Sequence, residues 1–234
     1  MKHYRIEAAI LAAGIILLGA FFYWGLNSFA QRDRTVTVKG LAEREVKADY
    51  VTWPIVYKTT GNDLQALYAD INSANSRISA FLERNGIDKA DISVDAPQIV
   101  DLKADRYANE TGHRDRYNVT SVTIVASTSV DEVRALIPRM GELLKEGIAI
   151  SDGDYNYRVQ YEFRGLNKVK PQMIEEATHN AREAAEKFAK DSDSRLGKIR
   201  QASQGLFSIN NRDKYTPYIK KVRVVTTVDY YLKS

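Results

Sequence analysis

The chain has 234 residues, with 34 Lys and Arg against 30 Asp and Glu, a formal charge of +4 and a pI near 9.0. It holds no cysteine, which removes disulfide scaffolds, thiol nucleophiles, Cys-ligated zinc and iron–sulfur clusters. Its 13 Gly and 5 Pro are too few for a collagenous or low-complexity chain.

The mean hydropathy of −0.39 averages two unlike parts. After Lys2, Arg5 and Glu7, the run from Ala8 to Gln31 carries no charge and is rich in Ile, Leu, Ala and Phe. As a helix rising about 1.5 Å per residue it would extend roughly 36 Å, enough for a hydrocarbon core of about 30 Å. Phe21, Phe22, Tyr23 and Trp24 gather near its far end, where aromatic rings favour the membrane–water interface, and are read as interface anchors. The sequence therefore predicts a short cytoplasmic N-terminus (1–7), a transmembrane anchor (8–31) and an extracytoplasmic domain (32–234). Ser28-Phe29-Ala30 before Gln31 leaves open a cleaved signal peptide instead.

In the body, Val36 and Val38 alternate with polar residues as in a half-buried strand, and Val51, Trp53, Ile55 and Tyr57 share one face of a second. Pro54 cannot donate to a ladder, so that strand is expected at an edge or with a bulge. Leu64, Leu67, Tyr68, Ile71, Ile78, Phe81 and Leu82 recur at helical spacing, with Asn62 and Gln65 at the start and Gly86 at the end. Ile92, Val94 and Ala96 alternate until Pro97, and the polar stretch 103–116 reads as a hairpin connection to a strand carrying Val122, Ile124 and Ala126. Ser129 and Glu132 suggest a capping box for one helix through Leu144. Tyr155, Tyr157, Val159, Tyr161 and Phe163 then alternate with polar residues, predicting a strand whose aromatic face is core, subunit interface or a stacking surface. Met173, Ile174, Ala177, Ala181, Ala184, Ala185 and Phe188 form a narrow helical stripe, and strands near Ile199–Ile209 and Lys220–Leu232 close the chain. The expected fold is α+β, largely antiparallel, with about three packed helices.

Chemistry is sparse. No Walker loop, nucleophile elbow, dinucleotide fingerprint or H-E-x-x-H occurs. His179 has Glu175, Glu176 and Glu183 within about a turn, but a shared metal would need a second matching helix, and Glu110-x-x-His113 carries Gly112 in a polar loop. Asp152-Gly153-Asp154 lacks the further oxygen ligands of a Ca²⁺ loop and reads as a tight turn. No catalytic residue, cofactor or metal is predicted, and no enzyme activity. Arg212, Lys214, Tyr215, Tyr218, Lys220, Lys221 and Arg223 interleave bases with aromatics, a candidate contact for an envelope polyanion or small ligand rather than nucleic acid.

Two segments carry a family resemblance. Val36-Thr37-Val38-Lys39-Gly40 with Val46-Lys47-Ala48-Asp49 resembles the opening of the SIMPL domain. Ala177, Ala181-Arg182, Ala184-Ala185, Lys187 and Ala189, followed by Leu196-Gly197-Lys198-Ile199, resembles its later helix and strand. The resemblance covers about residues 34–233, and Ala48 departs from it where the family commonly has Pro before the Asp. It implies a bacterial envelope protein, usually periplasmic, some of whose relatives assemble into large rings and some of which are linked to oxidative-stress tolerance. The combined expectation is a single-pass inner-membrane protein, N-terminus inside, with a non-enzymatic periplasmic domain that self-associates into a homo-oligomer. Its partners would be the lipid bilayer and further copies of itself. The alternative is a binding module for an envelope polyanion or small ligand.

Overall fold

A computed structural model describes residues 2–31, 34–104, 115–151 and 155–233. The charged stretch 105–114, with Glu110 and His113, and the Asp152–Asp154 turn lie outside the described residues, as do the side chains of His3 and Tyr155. In chain order the elements are α1 (Lys2–Gln31), β1 (Thr35–Lys47), β2 (Tyr50–Gly61), α2 (Leu64–Arg84), β3 (Ile92–Val94), β4 (Gln98–Asp101), β5 (Tyr117–Ser127), α3 (Val130–Leu136), α4 (Glu142–Lys145), β6 (Ile150–Ser151), β7 (Gln160–Glu162), α5 (Leu166–Asp191), β8 (Arg195–Gln204), β9 (Ser208–Asn211) and β10 (Ile219–Lys233).

The N-terminal run is helical, and its described large apolar side chains, from Ile10 to Leu26, are all exposed. Among the described residues no helix is long and apolar enough to cross a membrane, so the span expected over 8–31 is not shown.

The chain divides into two units, each built from separate stretches of sequence. The first takes Met1–Arg44, Asn167–Ile209 and Lys221–Ser234, and the second Glu45–Leu166 and Asn210–Lys220. The first unit carries the sheet β1-β10-β8, with β9 following β8 along β10. Strands β1 and β10 are antiparallel: the Leu232 N–H donates to the Arg34 carbonyl (2.8 Å), and the Thr37 hydroxyl to Asp229 Oδ1 (2.7 Å). Val222, Val224, Thr226, Val228 and Tyr230 fill the inner face of β10 at the predicted period of two. Against this sheet lies α5, which buries Met173, Ala177, Ala181, Ala185 and Ala189 at strict i, i+4 spacing. Small side chains bring its backbone close, while Phe188, expected in the stripe, is exposed and Ala189 takes its place.

The second unit is a six-stranded antiparallel sheet, β3-β5-β2-β6, with β4 also on β5 and β7 also on β2. Helix α2 packs on it through Leu67, Ile71, Ile78, Phe81 and Leu82. Its N-cap is Asp63, which accepts from the Gln65 and Ala66 amides, and not Asn62, whose side-chain Oδ1 instead accepts the Arg116 N–H (3.0 Å). Gly86 does sit past its end, at φ +92°. On β5 the deeply buried face is Val119, Ser121, Thr123, Val125 and Ser127, so the apolar alternation at 122, 124 and 126 marks the opposite face. The Ser121 hydroxyl is satisfied by a reciprocal pair with Asn75 of α2 (2.9 and 3.1 Å).

Two expected elements break up. Ser129 makes no side-chain cap, and Pro138 ends α3 in a 3₁₀ turn (Ile137–Gly141) before the short α4, because proline offers no N–H to continue the ladder. Among the described residues, four α-helices rather than three therefore accompany the sheets. The long Tyr-rich strand is also absent: 155–157 is a 3₁₀ turn and only Gln160–Glu162 pairs with β2.

Candidate functional site

The basic–aromatic segment spans the turn between β9 and β10. Asp213 organises it, accepting the Tyr215 and Thr216 amides (2.7 Å each), the Thr216 hydroxyl and Arg212 Nε (3.1 Å). The Thr216 hydroxyl, then Arg212 and the two amides, hold its carboxyl at about 2, against the opposing effect of burial. Arg212 also reaches Glu45 (3.4 Å), and Lys214 lies 4.7 Å from the centre of the exposed Tyr215 ring. Tyr218 turns away from that surface: the Arg134 guanidinium stacks on it at 3.4 Å and Tyr161 meets it edge-on at 6.2 Å. Arg134 in turn pairs with Asp131, as does Lys47.

Lys220 falls on the inner face of β10, 7% exposed, and donates to Asn211 Oδ1. Burial lowers its pKa, with the Glu162 carboxylate opposing. Lys221 and Arg223 project from the other face and share Glu43 (2.9 and 3.5 Å). The seven residues thus do not converge on one surface. The period of two could have placed Lys220 with Val222 and Val224, and the alternating Glu43 and Glu45 of β1 were the sequence signal for cations opposite them. Arg134 had no such signal.

Near residue 48 the departure from Pro has a physical counterpart: the Ala48 N–H donates to the Tyr218 carbonyl at 2.8 Å, a bond proline cannot make. The next residue, Asp49, accepts the Arg164 amide (2.6 Å) and the Gly165 amide (2.8 Å), fixing the chain just before α5. A β-carbon on Gly165 would lie 2.8 Å from Asp49 Oδ2.

A cavity of about 370 Å³ opens in the second unit. It arises where β2 loses its neighbour: β6 pairs with Val56 and Tyr57 and β7 with Tyr50–Thr52, leaving 53–55 without a strand on that side. Strand β2 is therefore neither an edge strand nor bulged in its register with β5, the two alternatives that Pro54 had suggested. It lies between β5 and two short partners, and the interruption falls at the proline. Buried Trp53 and Ile55 lie deepest in the cavity; Met140 and Leu144 line it from the 3₁₀ turn and α4, and Tyr157, Arg158 and Val159 from the returning chain.

Among the described residues no three His, Cys, Asp or Glu side chains come together as a metal site. His179 and Glu183 form an exposed i, i+4 contact (3.8 Å), and Glu176 lies 3.8 Å from Arg44. Phe21, Phe22, Tyr23 and Trp24 are exposed along α1.

Antiparallel sheets with packed helices, a narrow Ala-lined sheet–helix contact and a partly open cavity define an α+β protein whose two units are each built from separate stretches of the chain. Residues 36–227 match the family described as SIMPL, Protein of unknown function (DUF541), and the chain belongs to it. No curated protein matches the chain.

Proposed function

We propose that the chain is a non-enzymatic envelope protein, tethered to the bilayer by α1, whose body assembles copies of itself through open strand edges. The observation that carries this reading is β8 with its continuation β9. Both lie along β10, no described strand pairs with their other edge, and they are exposed almost throughout. Leu206, between them, is 96% exposed, and Ile199 is half exposed. An unprotected edge with apolar side chains is a template for another chain. Arg195, Lys198 and Arg200 give it positive charge with no acid, which disfavours self-pairing and favours a head-to-tail contact. Such contacts close into rings when the rotation permits.

Tethering is supported by the uncharged run from Ala8 to Gln31 and by the exposure of its described apolar side chains. The polyanion alternative has less support, since Arg212, Lys221 and Arg223 already face carboxylates and Lys220 is buried.

Sedimentation of the full chain in a mild detergent tests assembly. Oligomers are expected, dissociating when Ile199 and Leu206 are both replaced by Glu. A monomer at every concentration overturns the proposal, as does an oligomer indifferent to both substitutions.

A further inference from the structure

We infer that copies of the chain join in one fixed way, the β8–β9 edge of one copy pairing with the β3–β4 edge of the next. This rests on the assembly reading above and deepens it, because a head-to-tail contact needs a second, different surface on the same molecule.

The second edge is built like the first. Strands β3 and β4 follow one another along β5, on the side away from β2, and no described strand pairs with their outer side. The register shifts by one residue between them, from Val94 opposite Thr123 to Gln98 opposite Thr120. The Asp95 amide donates to the Val122 carbonyl (3.0 Å) and the Leu102 amide to the Arg116 carbonyl (2.7 Å). Inward and outward backbone groups alternate along an antiparallel strand, so Val94 and Ile99 direct theirs away from β5. In the first sheet the Gly205 amide donates to the Val225 carbonyl (2.8 Å), and by the same alternation Ala202 and Gln204 direct theirs away from β10.

Charge and apolar surface select the match. From Asp91 to Asp101 the β3–β4 edge carries three Asp and no Lys or Arg, whereas from Arg195 to Asn211 the β8–β9 edge carries three cations and no acid. Asp101 pairs with Arg116 (2.9 Å), which leaves Asp91 and Asp95 to face a partner. Like edges brought together set like charges opposite one another, and unlike edges set Asp against Arg and Lys. Val94 and Ile99 are half exposed, as is Ile199. Val94 and Ile99 stand opposite buried Thr123 and Val119, and Ile199 opposite buried Tyr230, so each row lies on the inward face of its own sheet. Paired in one continued sheet, the rows extend each other's apolar face, and the outward backbone groups of both edges gain partners.

The full chain is sedimented in mild detergent with one edge disabled at a time. Ile199→Glu with Leu206→Glu leaves only β3–β4 able to pair, and Val94→Lys with Ile99→Lys leaves only β8–β9. Each variant alone should be monomeric, and an equimolar mixture should give dimers and nothing larger, because mixing restores a single contact. Asp91→Lys with Asp95→Lys should weaken association about tenfold, and adding Arg195→Glu and Lys198→Glu to the same chain should recover most of it. A monomeric starting protein overturns the assembly reading and this pairing together. An oligomer lost on changing Ile199 and Leu206 but indifferent to Val94 and Ile99 overturns the pairing alone. A dimer formed by either variant by itself does the same, as does a mixture of folded variants that stays monomeric. Circular dichroism checks folding. If Val94→Lys with Ile99→Lys unfolds the chain, the charge exchange decides, and failure to recover association overturns the pairing.

Discussion

Gly40 of β1 lies so close to Ala177 of α5 that a β-carbon on it would fall 1.8 Å from the Ala177 carbonyl oxygen and 2.4 Å from the Ala181 nitrogen. Both obstacles are backbone, which no rotamer change can clear. Strand and helix meet here because the glycine and the Ala stripe face each other. Gly40→Ala is therefore expected to destabilise the first unit by about 3 kcal/mol, the upper end of overpacking costs. Urea unfolding followed by circular dichroism measures this; an unchanged midpoint would contradict the contact.

The Asn75–Ser121 pair is buried and satisfied on both sides. Ser121→Ala leaves the Asn75 amide without that partner, at a cost of about 1–3 kcal/mol. Asn75→Leu combined with Ser121→Ala removes both polar groups, so the double variant should lose less than the sum of the single changes. A double-mutant cycle that shows strict additivity excludes the coupling.

Asp49 receives two amides from a segment more than a hundred residues away. Asp49→Ala should cost about 1–2 kcal/mol, as loss of a helix cap does. Faster hydrogen exchange at the Arg164 and Gly165 amides, with exchange in α2 unaffected, is the local signature to measure.

The Asp213 turn carries a pH dependence of known sign. Its folded carboxyl titrates at about 2, below the ordinary carboxylate value of 3.8. A depressed acid stabilises the folded turn fully above its unfolded pKa and progressively less as pH falls through the folded one. Amide shifts of Tyr215 and Thr216 should hold steady down to about pH 4 and then change towards pH 2. In Asp213→Asn this titration disappears.

What pattern made legible was the facing of side chains. The stripe of α2, most of that of α5 and the inner face of β10 follow directly from periods of 3.6 and two. Pairing was not legible on the same basis. Tyr157, Val159 and Tyr161 are all partly buried, as their alternation implies, yet only three residues of that stretch pair, because alternation reports which side faces inward and not whether a neighbouring strand can receive hydrogen bonds. Asn62 and Asp63 were indistinguishable as caps, since adjacent polar residues differ only in backbone geometry. In the basic segment, composition suggested one surface, whereas the strand period sends Lys220 inward and Lys221 and Arg223 outward. The cavity had a single trace, Pro54, which marked an interruption in the neighbouring strand and not in its own.

The interleaving of the two units has a consequence for biosynthesis. Strand β1 is made before, and its neighbour β10 after, the whole of α5 and the six-stranded sheet. During translation and passage across any membrane, β1 must wait with its hydrogen-bonding groups uncommitted, and closing so long a loop slows the step that finally pairs it. A ribosome that stops short of Ile219 releases a chain whose first sheet lacks its central strand. Completion of the first unit is thereby tied to synthesis of β10, and a product aborted before it is left with β1 and β8 without that partner, ready for clearance.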